Sequence, residues 1–341
     1  MKRAMLLAVL AAACGCEETM VREGGGFGPA APPPAPAPAR DPYAVLGEAL
    51  ASGQPPLQAY AAETYLETDR APPRGQLESL AAGGNAKVRM VAVAVLGARR
   101  RGDLAGLFRQ RQRDDDPAVR LAAAFGLAMA GDASQVTALR DALASPDVTL
   151  RRTACWLLGL MGNSSALGLL ELKLADPDAL AVLRAAEAMD RLGSDAGLER
   201  ARRLSEHRSH EIRRVAVRLL GRGGSATDVP RLERMAQSQV FLDVKFAAIA
   251  GLARLGDFKR VGLLVEMLAA PEQETRVLAA RELGETGYEP AVEPLGRLLG
   301  KGDLLERTSA AGSIVRIQSA KQSWRNRAMR AGDRTAAKPA G

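Results

Sequence analysis

Cysteine, histidine and the aromatic residues are scarce in this chain of 341 residues, which has three Cys, two His and 4% Phe, Trp and Tyr. Three cysteines build no disulfide framework. Two of them, Cys14 and Cys16, stand near the N-terminus, and Cys155 sits in a helical apolar pattern that suits a small buried hydrophobe. The histidines, His207 and His210 in "SEHRSHEI", match neither HExxH nor a cysteine–histidine zinc pattern, so no metal site is expected. Nucleophile elbow, Walker loop and dinucleotide fingerprint are all missing, and "GGGFG" at 24–28 lacks the strand, helix and lysine of a phosphate loop. The expectation is a protein without cofactor, small-molecule substrate or enzymatic activity. Few aromatics among 47% apolar residues suggest aliphatic-rich helices.

Excess positive charge is also absent where a nucleic-acid binder would need it. The chain carries a formal net charge of +8, yet residues 41–320 hold 37 basic and 35 acidic side chains. Much of the excess lies in residues 321–341, which read as a basic, disordered tail, and no nucleic-acid partner is expected.

What the N-terminus does have is an export signal. "MKRAMLLAVLAAACGC" starts with two cations and continues with an apolar run, Ala4 to Ala13, too short to span a bilayer. "LAAAC" at 10–14 resembles a bacterial lipoprotein cleavage box, although Ala11 stands where leucine is usual. It implies a signal peptide over 1–13 and lipid on Cys14, with Cys16 as the alternative and ordinary cleavage without lipid as a third reading. Residues 14–40 then form a Gly/Pro/Ala-rich linker, whose stretch 31–39 favours polyproline II and reaches about 30 Å. The expected address is the cell envelope, with the chain lipid-anchored to a membrane.

The body, residues 41–320, is built from an internal repeat. Gln58, Arg89, Arg120, Arg151, Val182, Arg213, Lys245, Arg276 and Arg307 are 31 residues apart, with one interval of 32, and seven of the nine are cationic. Three residues after each reference position stands alanine without exception, from Ala61 to Ala310, and seven after each stands a large apolar residue, from Tyr65 to Ile314. Offsets of three and seven share one helical face, so each unit opens with an amphipathic helix whose alanines permit close approach. Asn85, Asp116, Asp147, Asp178, Ser209 and Asp303 are natural N-caps, and glycines such as Gly131, Gly162 and Gly287 suit left-handed C-caps. A second, shorter apolar helix follows in most units. About nine such hairpins predict an all-α, α–α superhelical solenoid, elongated to about 80 Å, since packed helices stand 8–10 Å apart.

The stretches "DPAVRLAAAFGLAMAG", "DVTLRRTACWLLGLMG", "HEIRRVAVRLLGRGG" and "QETRVLAARELGETG" resemble HEAT repeats, specifically the short bacterial HEAT-like repeats of phycobilisome lyases. The resemblance covers residues 54 to about 318. It implies a scaffold with an open concave surface lined by the second helices, and a divergent first unit that caps the stack. It also implies a structural ladder between units, to which Asp116, Arg120, Asp147, Arg151, Arg276, Asp303 and Arg307 belong. The family name would imply tetrapyrrole attachment to cysteine, which an export signal opposes. A lyase-like enzyme or enzyme accessory is therefore the alternative to a scaffold, and a nucleic-acid-binding HEAT protein the weaker one. Finally, Arg200 and Arg203 recur at the same offsets in the next unit as Arg231 and Arg234. Four guanidinium groups side by side suit an acidic protein or peptide partner along the concave face.

Overall fold

The computed structural model describes residues 40–336 except 69, 100, 101 and 238–240, and over 321–336 it describes the backbone alone. The expected signal peptide and nearly all of the linker lie outside these residues. Among the described residues the secondary structure is helical throughout. Helix α1 spans Pro42–Ala51. The first helices of the nine units are α2 (Pro55–Thr64), α4 (Ala86–Ala98), α6 (Pro117–Met129), α8 (Val148–Met161), α10 (Ala179–Arg191), α12 (His210–Gly223), α14 (Leu242–Arg254), α16 (Gln273–Thr286) and α18 (Leu304–Ala336). The second helices are α3 (Arg74–Ala81), α5 (Ala105–Arg111), α7 (Val136–Ala142), α9 (Leu167–Lys173), α11 (Leu198–Leu204), α13 (Val229–Gln237), α15 (Val261–Glu266) and α17 (Val292–Lys301). Residue 321, where the basic tail was expected to begin, falls inside α18.

The caps explain where these helices start and stop. Asp116 accepts from the backbone N–H groups of Ala118 and Val119, Asp147 from Thr149 and Asn85 from Val88. Gly162 and Gly287 end α8 and α16 in the left-handed region, at φ 69° and 68°. Gly224 departs from this pattern. It is extended, at φ −71°, because its N–H continues the helix bond to the Leu220 carbonyl.

The repeat alanines and the apolar residues four positions after them form the core. All nine alanines are fully buried, and none of the large residues from Tyr65 to Ile314 is more than 3% exposed. First helices of neighbouring units touch almost backbone to backbone. A Cβ added to Gly97 would stand 2.8 Å from the Gly126 Cα, and one on Gly221 would stand 2.4 Å from the Gly251 Cα. Second helices pack chiefly on the first helix of the next unit, and α7, α11 and α15 on that of their own unit as well, and they do not form a comparable layer with one another.

That difference in spacing between the two layers corrects two expectations. The tight layer takes the inside of the curve, so the concave side is lined by first helices and the second helices form the outer wall. Curvature then accumulates until the array closes. Helix α18 packs along α1 and α2, Arg307 of α18 pairs with Glu48 of α1 at 3.2 Å, and Arg316 pairs with Glu67 at 2.6 Å across 249 residues of sequence. The array of hairpins is a closed ring and not an open, elongated solenoid.

Closure also changes the part played by the ends. Unit nine has a first helix, α18, and α1 lies against both α18 and α2 as α7, α11 and α15 lie against two successive first helices. The first unit therefore caps nothing. The N-terminal helix completes the C-terminal hairpin, and nine first helices are matched by nine second helices among the described residues.

Candidate functional site

Nine first helices meeting around one axis bring together side chains that lie far apart in sequence. The positions five and nine residues after each reference face the centre. In units two to four they are Ala94, Phe125, Trp156, Ala98, Met129 and Leu160, so this arc is apolar. Across the ring, Ala250 and Gly312 apart, the same positions are charged: Glu63, Glu67, Glu187, Arg191, Arg218, Arg222, Arg254, Arg281, Glu285 and Arg316. The inner wall is thus divided into an apolar arc and a charged arc. At the C-terminal ends of α2, α4, α8 and α10 a cavity of about 330 Å³ opens, lined by Leu66, Ala98, Arg99, Gly159, Leu160 and Arg191.

Two of the ion pairs in that arc skip a unit, and the others join neighbouring units. Arg218 on α12 reaches over α14 to hold Glu282 on α16, whose side chain is fully buried, with Nε donating at 3.0 Å. Arg222 donates to Glu285 at 2.9 Å and lies 3.9 Å from Glu187. Arg316 donates from Nε to Glu67 and from Nη1 to the Tyr60 hydroxyl at 2.8 Å. Burial works against the Glu285 carboxylate, but Arg222, Arg316 and Arg218 overcome it and hold its pKa well below the usual range. Glu63 and Asp190 go the other way, because burial outweighs the cations around them and raises both.

The ladder residues lie away from this centre, in the turns between units. Arg151 donates to the Ser145 and Pro146 carbonyls of the turn before its own helix, and to both carboxylate oxygens of Asp176 in the next unit at 2.8 and 3.0 Å. Arg89 repeats the arrangement with Gly83, Gly84 and Asp114, and Arg276 with Ala270, Pro271 and Glu306. Arg120 reaches the carbonyls of Asp114 and Asp115. Asp116, Asp147 and Asp303 serve as backbone caps, Asp303 accepting from the Glu306 N–H at 2.9 Å. The reference arginine therefore ties two consecutive units together through a carboxylate near the next cap, and Arg307 closes the series on Glu48.

Arg200, Arg203, Arg231 and Arg234 stand on α11 and α13, in the outer wall, so they do not face the concave side. That expectation placed the second helices inside, whereas the small-residue contacts of the first helices put them outside. Arg203 pairs with Glu199 at 3.2 Å, while Arg231 and Arg234 share Glu206 at 2.7 and 3.6 Å. Their neighbour Arg202 turns inward to a buried Asp228 at 2.8 Å. Cys14 and Cys16 lie outside the described residues. Cys155 is fully buried, and burial pushes its thiol up to about 12. His210 stacks on Phe241 and meets Asp243 at 2.8 Å through Nδ1. Among the described residues no group of three or more His, Cys, Asp or Glu is placed to hold a metal ion, and no helix is long and apolar enough to cross a membrane.

The inner-wall charges were missed in the sequence although a signal for them was present. A helix packed between two others, like "PAVRLAAAFGLAMAG", is almost free of charge. Glu63 with Glu67, Arg218 with Arg222, and Arg281 with Glu285 place charges four residues apart on helices of the same kind. Such a pair on an otherwise buried helix marks a face turned toward something other than a neighbouring unit.

Residues 74–152 and 104–181 match a family model for HEAT repeats. No curated protein sequence matches the chain. Among solved structures, the complex of CpcE and CpcF of phycocyanin lyase from Nostoc sp. PCC7120 is similar, at 22% identity and a TM-score of 0.47, over 64% of this chain and 94% of that one. YibA of Escherichia coli is similar at 18% identity and a TM-score of 0.39, over 70% and 91% of the two chains. Human deoxyhypusine hydroxylase in complex with glycerol follows at 19% identity and a TM-score of 0.30, over 81% and 96%.

Proposed function

We propose that this chain, which carries HEAT repeats, is a membrane-tethered scaffold that works by binding a protein or peptide partner and not by catalysis. The tether is a lipid on Cys14, or on Cys16, at the end of the export signal, and the Gly/Pro/Ala-rich segment after it holds the ring off the bilayer. The partner is acidic and engages the outer wall at Arg200, Arg203, Arg231 and Arg234. The observation that carries this reading is the pairing at the surface of Arg203 with Glu199 and of Arg231 and Arg234 with Glu206. Exposed ion pairs are worth about 0–1 kcal/mol, so carboxylates of a partner displace them at little cost and gain planar, bidentate donors. Burial keeps the Cys155 thiol protonated, so this cysteine is not offered as a nucleophile.

The test has two arms. Labelled fatty acid fed to cells should enter the wild-type chain and be lost in Cys14→Ala, or in Cys16→Ala if the second cysteine is acylated. Absence of label in wild type rejects the tether. Proteins crosslinked to the full-length chain in cells should then bind it in vitro with salt-dependent affinity, and changing all four arginines to glutamine should weaken binding and flatten the salt dependence. An unchanged affinity and salt slope in that variant rejects the outer-wall site.

A further inference from the structure

One sector of the inner wall gathers four arginines, of which only two hold a carboxylate by hydrogen bond. Arg281 on α16 and Arg316 on α18 lie over the Tyr60 ring of α2, and Arg214 and Arg218 on α12 are close enough for their charges to act on Arg281. The guanidinium groups of Arg281 and Arg316 lie 4.6 and 5.1 Å from the centre of the Tyr60 ring. Arg218 is one helical turn beyond Arg214, and it holds Glu282, the residue next to Arg281.

Two of these four cations hold a carboxylate by hydrogen bond and two do not. Arg218 has Glu282, and Arg316 has Glu67, with a Glu285 oxygen at 4.0 Å. Arg281 makes no ion pair among the described residues. Its Nε donates to the Ser309 hydroxyl at 3.2 Å, and its remaining contact is the Tyr60 ring. Arg214 has a carboxylate oxygen of Asp243 at 3.7 Å, beyond hydrogen-bond range, and that oxygen already meets His210. The Arg214 Nε is buried without a hydrogen-bond partner. Burial together with the charges of Arg218, Arg316 and Arg214 lowers the pKa of Arg281. Even so, a guanidinium does not escape such a place by losing its proton, because its charge is delocalised over three nitrogens and it stays protonated in proteins. A buried cation left in this state costs free energy until an anion arrives.

We propose that the Arg214, Arg218, Arg281 and Arg316 cluster binds a phosphate-type dianion at the inner wall of the ring. Two guanidinium groups without a hydrogen-bonded carboxylate leave donors for an anion, and a phosphate group carries about −1.5 to −2 at pH 7. Donors arriving from three helices suit a tetrahedral oxyanion, which offers oxygens in several directions, better than a planar carboxylate, whose acceptors lie in one plane. The Tyr60 hydroxyl, which already accepts from Arg316, keeps its own proton to donate to a bound oxygen. Because the ring is closed, the ligand is a small phosphate compound or the end of a slender one. This site is separate from the outer-wall arginines, which belong to other helices.

Inorganic phosphate is the direct probe, with the full-length chain as the protein. Titrated by calorimetry and by phosphorus NMR line broadening at constant ionic strength, it should bind wild type saturably and raise the thermal midpoint. Arg281→Gln should weaken binding at least tenfold and remove the thermal response. Arg140→Gln, at an exposed arginine of α7 outside both sites, should leave both unchanged. Should Arg281→Gln fail to fold, Arg214→Gln, at the more exposed edge of the cluster, should show the same loss. Three results overturn the proposal: no saturable phosphate binding in wild type, equal binding by both inner-wall variants, or binding of succinate as tight as that of phosphate.

Discussion

A single arginine type does most of the joining between units, and its chemistry fixes its pH behaviour. Arg151 bridges two carbonyls behind it and one carboxylate ahead, a geometry that lysine, with a point charge on a flexible stem, does not reproduce. The partner Asp176 is 1% exposed, and its hydrogen bond to Arg151 leads the causes that hold its pKa below the ordinary carboxylate value. A lowered folded-state pKa means that the stabilisation is complete above the unfolded value, near 4, and disappears as pH falls through the folded value. Asp176→Asn should therefore cost about 1–2 kcal/mol at pH 7. The gap between the two denaturation midpoints should narrow below about pH 4. A gap that stays constant between pH 7 and pH 3 would show that Asp176 acts through packing and not through its charge.

Among the helices, α1 has the most distinctive role, because it belongs in sequence to the first unit and in space to the ninth. Leu46 is fully buried, and it stands twelve residues before Gln58 just as Leu77 stands before Arg89 and Leu139 before Arg151. It is the core residue of a second helix whose first helix comes at the other end of the chain. Leu46→Ala should lower stability by about 2–5 kcal/mol, as leucine truncations in cores do. Its signature is where the protection is lost. Amide exchange should accelerate in residues 304–317 of α18 as well as in α2, although α18 lies more than 250 residues away. Faster exchange confined to α1, α2 and α3 would mean that α1 caps the first unit only.

At the scale of the molecule, closure distinguishes this array from an open stack of the same repeats. Open arrays are stabilised by neighbours on two sides, with weaker terminal units, whereas in a ring every unit has two neighbours. Spin labels at Glu48 and Asp303, placed in a chain with Cys14 and Cys16 replaced, should report a separation of about two helix-packing distances or less, against about 80 Å for an open stack. A broad distribution centred on the longer distance would reject closure in solution. Because the ends hold each other through Arg307–Glu48 and Arg316–Glu67, deleting α1 should lengthen this separation, read from a label moved to Gln58.

The repeat period, the helix limits and the buried alanines were legible in the sequence because they are local. A 31-residue recurrence of alanine and leucine on one helical face, bounded by an aspartate cap and a glycine stop, leaves little choice about what each segment becomes or which face it buries. The turn arginines were legible for the same reason, since each acts within its own unit and the next. Closure was not, because curvature is the sum of small rotations. Each rotation depends on whether Gly97 meets Gly126, or Gly221 meets Gly251, closely enough to draw the first helices inward. The charged arc was lost with it, since Arg218 and Glu282 or Arg316 and Glu67 become partners only after many such rotations have added up. The sequence alone determined what each hairpin is and how it touches the next. The tertiary structure decided which layer faces inward, that α1 completes the last unit, and which charges meet at the centre, because those depend on contacts between residues that no repeat period connects.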